Sequence, residues 1–207
     1  FSGGEKERPF MELQRRAFEV LKNTGTKCNA IWFWGDSLAP EFPKAEAGRC
    51  ALGETILMRG ITAAANIPIF PTEEAGRSFE AFLTEKADKA IAALNGGYER
   101  AYVHIQATDD LSHDRNPLGK RAAIEAADAL VVRRLMNEVE GDFRLLVLSD
   151  HFTYSDTGSH GGDPVPCLYF DSTCPGNNPS ARFTEALCDE RYELTTAKGT
   201  VEMMEKK

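Results

Sequence analysis

Aspartate and histidine fall together at three points in the second half of this chain. Asp109 precedes His113 by four residues, Asp150 adjoins His151, and His160 comes shortly before Asp163. Imidazole nitrogen and carboxylate oxygen are the donor set for zinc or manganese, and sites that activate water or phosphate use several at once. The chain holds only four histidines, so three in this company carry weight. One histidine at a strand end is more often a surface or core residue with its hydrogen bonds met. Three at one edge, two of them with an aspartate at short spacing, point to a shared site. The fourth, His104, lies within an apolar run and reads as packing. Asp110 reads as a turn or cap residue.

A different chemistry competes for one of these histidines. The stretch IWFWGDSL at 31–38 carries the Gly-Asp-Ser-Leu of a metal-free esterase type, with Ser37 as nucleophile and Asp110 to His113 as the Asp-x-x-His that would activate it. That type places its Asp-x-x-His near the C-terminus, whereas about ninety residues follow His113 here, and no Gly-x-Asn-Asp block lies between. It also leaves Asp150, His151 and His160 without a task. A helix cap or turn after a strand accounts for Ser37 more simply.

The elements that must position these residues follow from periodicity. Phe10, Leu13, Ala17, Val20 and Leu21 recur at helical spacing, with Asn23 and Gly25 as a stop. NAIWFWG (29–35) reads as a strand covered on both faces. A helix is expected over 53–67, a brief strand at 67–70, a helix over 78–94 ending at Asn95-Gly96-Gly97, a strand at 101–107, a loop TDDLSHDRNPLG, a helix over 119–140, and strands at 143–151 and 165–171. A helix is also expected near 183–190, packing Phe183 and Leu187. This alternation predicts an α/β layered fold with a mostly parallel sheet. Ligands gather at the carboxyl ends of such strands, where Asp109, His113, Asp150 and His151 all emerge.

Composition sets the limits. At 207 residues and 42% hydrophobic content the chain can bury one substantial core. Acids outnumber lysine and arginine 32 to 24, with no basic stripe, which argues against a nucleic-acid partner. No run of about 18 apolar residues is present to cross a bilayer, and FSGGEKERPF has neither a basic nor an apolar signal region. Five cysteines, an odd count without Cys-x-x-Cys, fit reduced thiols. The expected setting is cytoplasmic.

In order along the chain, YVHIQATDDLSH (102–113), LLVLSDH (145–151) and SHGGDPVP (159–166) resemble the C-terminal half of the archaeal-type cofactor-independent phosphoglycerate mutases, of the alkaline phosphatase-like metalloenzyme superfamily. NAIWFWG (29–35) and MRGI (58–61) stand at corresponding places, so the resemblance runs over roughly residues 12–170. It implies a three-layer alkaline phosphatase-like fold over 27–207, with 1–26 as a helical segment connecting from an inserted domain. It implies two divalent ions, manganese or zinc, and interconversion of 3- and 2-phosphoglycerate through a phosphoserine. Carried over by position, Asp109, His113 and His160 would hold one ion, and Asp150 and His151 part of the other. Arg59 stands where the family has a lysine, a substrate contact, and Ile56 where it tends to have aspartate. The family's nucleophilic serine and first metal-bearing strand precede the segment resembling 12–35, so this polypeptide is expected to resemble half of a split catalytic domain, without a catalytic nucleophile and inactive alone. A homoserine kinase-like homologue and a non-catalytic metal-binding or assembly module are the alternatives. The expected partner is a phosphorylated small molecule.

Overall fold

The computed structural model describes residues 7–33, 41–72, 76–174, 176, 183–184 and 195–205. Ser37, Cys188 and most of the helix expected near 183–190 lie outside these residues. The chain divides into two compact units, Phe1–Phe42 and Pro43–Lys207.

The first unit is built on helix α1 (Arg8–Leu21), which begins with Pro9 in its first turn, where a missing N–H costs nothing. Phe10 meets Phe33 edge to face, with ring centroids 5.4 Å apart. Residues 29–33 have no regular structure, so the expected strand over NAIWFWG is not formed in its described part.

The second unit holds the core. Its parallel sheet has the order β2-β1-β3, from β1 (Arg49–Leu52), β2 (Ile69–Phe70) and β3 (Arg100–Val103). Both pairings of β1 are parallel, with Leu52 opposite Phe70 on one side and Val103 on the other. A central strand covered on both faces must be apolar throughout, and Cys50, Ala51 and Leu52 are fully buried. Their sequence, Arg-Cys-Ala-Leu, is short and has no β-branched residue, which is why the aromatic run at 29–35 reads as the better strand.

Helix α2 (Ile56–Ala65) follows β1, capped by the Thr55 hydroxyl accepting from Met58 N and closed by Asn66 in the left-handed region at φ 59°. Helix α3 (Phe79–Asn95) starts at Ser78, whose Oγ accepts from Ala81 N. Its buried positions Phe82, Leu83, Lys86, Ala87, Ala90, Ile91 and Ala93 recur at helical spacing. Phe82, Leu83, Ala87, Ala90 and Ile91 pack with Leu52, Val131 and Leu135 as the hydrophobic core.

The loop expected after β3 is instead a short helix, α4 (Ala107–His113). Acidic residues in its first turn and a histidine in its last suit the helix dipole, and Ser112 Oγ, buried, donates to Thr108 O at 2.7 Å. The long helix expected over 119–140 spans 117–138 in three parts: α5 (Pro117–Ala127), a π-helical turn (Asp128–Val132) and α6 (Arg133–Glu138). Two antiparallel pairs complete the unit. Strand β4 (Arg144–Leu148) pairs with β7 (Cys167–Asp171), and β5 (Phe152–Tyr154) forms a hairpin with β6 (Ser159–Gly161). The sheets are thus parallel around β1 and antiparallel beyond it. Helix α7 (Ala197–Glu205) follows, with Arg144 Nη1 donating to Met204 O at 3.1 Å.

Candidate metal centre

Two elements bring the donors together. On α4, Asp109 and His113 are four residues apart and so share one helix face. On the hairpin, His160 lies directly across from Thr153 in the antiparallel register, which puts both side chains on one face. That face meets α4.

The three donor atoms form a small triangle. His113 Nε2 is 3.4 Å from Asp109 Oδ1, His160 Nε2 is 3.5 Å from the same oxygen, and the two Nε2 atoms are 3.0 Å apart. Donors at zinc distances and tetrahedral angles stand ~3.3–3.4 Å from one another. The triangle therefore has the dimensions that one divalent ion requires. Among the described residues, Asp109, His113 and His160 are the group of ligand-type side chains close enough to share an ion.

Hydrogen bonds set the protonation that such an ion needs. His113 Nδ1 lies 2.8 Å from Gly158 O; a carbonyl only accepts, so Nδ1 carries a proton there and Nε2 is the nitrogen turned toward His160. Two imidazole nitrogens at that separation must share a proton or a cation. Asp109 Oδ1 accepts from Thr153 Oγ at 2.5 Å, and Oδ2 accepts from Gln106 Nε2 at 2.9 Å. Burial raises the Asp109 carboxyl pKa, but the Thr153 hydroxyl and the charges of His113, His160 and His151 outweigh it and hold the group below its ordinary value. The carboxylate is kept charged, as a ligand must be.

The turn between β5 and β6 is fitted closely to the end of α4. Gly158 has φ 68°, and a Cβ there would stand 3.1 Å from His113 O, so both the backbone conformation and the close approach call for glycine. Lys120 on α5 adds a donor to Thr153 O at 2.9 Å.

Two of the other expected site residues, His151 and Asp150, stand beside this triangle. His151 stacks on His160 with centroids 3.9 Å apart, and its Nδ1 lies 3.2 Å from Thr153 Oγ. Asp150 is largely exposed, its Oδ1 accepting from His151 N and its Oδ2 3.5 Å from His151 Nε2. Arg59 is exposed on α2. Asp110 accepts from Gln106 Nε2, while the Nδ1 of His113 is committed to Gly158. An Asp110–His113 relay of the esterase kind would need that Nδ1 to face the carboxylate.

Thr153, Gln106 and Gly158 are the partners that sequence reading passed over. The signal for Gly158 was present in Asp156-Thr157-Gly158, a turn sequence between two short runs; nothing comparable marks Thr153. Its hydroxyl orients the Asp109 carboxylate, so Thr153→Val is expected to weaken divalent-ion affinity ten- to a hundredfold, the usual cost of an outer partner, while circular dichroism stays unchanged. Undiminished affinity by calorimetry would remove Thr153 from the centre.

Comparison with known proteins places the chain in a family. The metalloenzyme superfamily profile matches residues 29–201. The chain belongs to the metalloenzyme superfamily. Among curated members, it is 31% identical over 171 residues to a probable 2,3-bisphosphoglycerate-independent phosphoglycerate mutase of Geobacter sulfurreducens, covering 80% of this chain and 43% of that one. The 2,3-bisphosphoglycerate-independent phosphoglycerate mutase of Methanosarcina mazei is 26% identical over 188 residues, covering 87% of this chain and 47% of its own. The chain thus spans less than half the length of these relatives. Among solved structures, the PH0037 protein from Pyrococcus horikoshii superposes with a TM-score of 0.59 at 26% identity, over 68% of this chain and 36% of that one. The likeness to this neighbour and the superfamily match agree on an alkaline phosphatase-like α/β fold, and the superfamily is one of metal-dependent enzymes. The four described cysteines are unpaired, and none of the described helices is long and apolar enough to cross a membrane.

Proposed function

We propose that this chain provides the metal-holding edge of a phosphoglycerate mutase, or of a closely related phosphotransferase, acting on a phosphorylated small molecule. The observation that carries the reading is the triangle of Asp109, His113 and His160, in a chain whose relatives are named phosphoglycerate mutases. These three residues would hold one ion, with manganese and zinc as the matching metals. Asp150 and His151, beside the triangle, would contribute to a second, and Arg59 would approach the substrate. Divalent ions supply charge that neutralises phosphoryl oxygens and lowers the pKa of an attacking hydroxyl.

The chain's own residues set the conditions for that chemistry. Asp109 brings fixed negative charge, kept ionised by Thr153. His113 is held in one tautomer by Gly158. The side chains of His113 and His160 remain 43% and 52% exposed, so a ligand oxygen can approach the triangle from solvent. We assign no nucleophile among the described residues. A phosphoserine cycle is therefore part of the proposal only for the whole enzyme that the relatives represent.

The test is a pair of calorimetric titrations of 3-phosphoglycerate, into the chain loaded with manganese and into the metal-free chain. Binding is expected only to the loaded form, because the phosphoryl oxygens need the ions. Equal heats in both forms, or none in either, would overturn the reading. Homoserine phosphate in the same cell separates the kinase-like alternative.

A further inference from the structure

Helix α4 ends in an unusual way. Asn116 N donates to Leu111 O at 2.8 Å and Arg115 N to Ser112 O at 2.9 Å, the paired bonds of a Schellman ending, whose left-handed position is normally filled by glycine. Here that position is Arg115, at φ 54°. The equivalent left-handed residue closing α2 is Asn66, a type that tolerates the conformation. Arginine does not, and non-glycine residues held there gather where the surrounding structure has a use for them.

The side chain shows the use. Arg115 folds back over the hairpin turn, its Nη2 donating to Thr157 O at 3.3 Å, and its Cγ and Nε would lie 3.7 Å from a Cβ placed on Gly158. The next carbonyl, Gly158 O, is the one that fixes the His113 ring. Two residues further on is His160. The turn that Arg115 covers therefore carries both the group that orients one imidazole ligand and the strand that delivers the other.

We propose that Arg115 is a positioning residue for the metal centre: it retains an unfavourable backbone conformation so that its guanidinium can pin the Thr157–Gly158 turn against the end of α4. This rests on the reading of Asp109, His113 and His160 as metal ligands. A backbone that would be more stable with glycine, and a site that would be looser with it, predict opposite effects from one substitution.

That opposition is the test. Arg115→Gly and Arg115→Ala are compared with the parent by melting of the metal-free protein and by calorimetric titration of zinc and manganese. Arg115→Gly is expected to melt no lower than the parent, because it relieves the left-handed strain, and to bind metal about tenfold more weakly, as for other lost outer-shell partners. Arg115→Ala, which keeps the strain and loses the arm, is expected to weaken binding equally. Parent-like affinity in both variants would overturn the proposal and leave the metal reading standing. So would affinity that falls only in step with a lower melting temperature. If the parent binds neither ion, the metal reading fails and the role of Arg115 with it.

Discussion

Asp109→Ala is expected to weaken zinc and manganese binding by more than about a hundredfold, beyond what the loss of an outer partner does. The carboxylate oxygen is one corner of the triangle, with both imidazole nitrogens within 3.5 Å of Oδ1. It is also the anionic donor of the three. Without it, two imidazole nitrogens 3.0 Å apart face each other, and the Thr153 hydroxyl, on a residue only 5% exposed, loses its carboxylate acceptor. Asp109→Asn sharpens the experiment, since an amide oxygen still accepts from Thr153 but brings no charge. It should fold like the parent and bind metal far more weakly, with Asp109→Ala weaker still. Calorimetric titration of the three proteins decides: matching dissociation constants in parent and Asp109→Ala would remove the centre from this place. Ser37, which belongs to the competing esterase reading, serves as the control, and Ser37→Ala is expected to leave metal affinity as it is.

The candidate ligands are legible in the sequence because their signal is chemical and does not depend on the element that carries them. The sequence puts Asp109 and His113 in a loop at a strand end, yet a four-residue interval serves a helix face equally well. The triangle survives the change of element. Strands were harder. β1 offers four residues with no alternation and one charge, and its place at the centre of the sheet comes from pairings with β2 and β3 that are distant in sequence. The aromatic run at 29–33 has stronger strand propensity but no regular structure, since propensity yields to the availability of a partner edge. The hairpin of β5 and β6 has no periodic signal in the sequence for a related reason: three-residue strands are below the length at which a period of two can be seen. Thr153 is hidden with it, since its role depends on standing opposite His160.

Lys86 was equally illegible, and its removal carries the largest expected loss of stability. In the sequence it is one of two lysines on a helix. In the fold its side chain is fully buried, with Nζ 2.7 Å from Glu54 Oε2, against the His104 carbonyl, and 4.3 Å from the centre of the Phe82 ring. Thr72, also buried, donates to Glu54 Oε2 at 3.4 Å. Glu54, Thr72 and His104 each follow one strand of the parallel sheet by one or two residues, so this ammonium gathers all three strand ends at the edge from which α4 departs. Lys86→Met keeps the length of the side chain and removes the charge, leaving Glu54 only partly solvated and the His104 carbonyl without this donor. Breaking a buried pair on one side costs about 3–5 kcal/mol, which for a unit of this size is a fall in melting temperature of roughly 6–20 °C. The double substitution Lys86→Met with Glu54→Leu removes both charges, and apolar replacements of buried pairs are often neutral; it should recover most of the loss. Thermal melts of the three proteins provide the check. If Lys86→Met costs less than about 1 kcal/mol, the value of an exposed pair, the strand ends are held by packing alone. If the double variant recovers its stability but binds metal more weakly than the parent, the ion pair sets the path of the chain from β3 into α4 rather than the stability of the sheet.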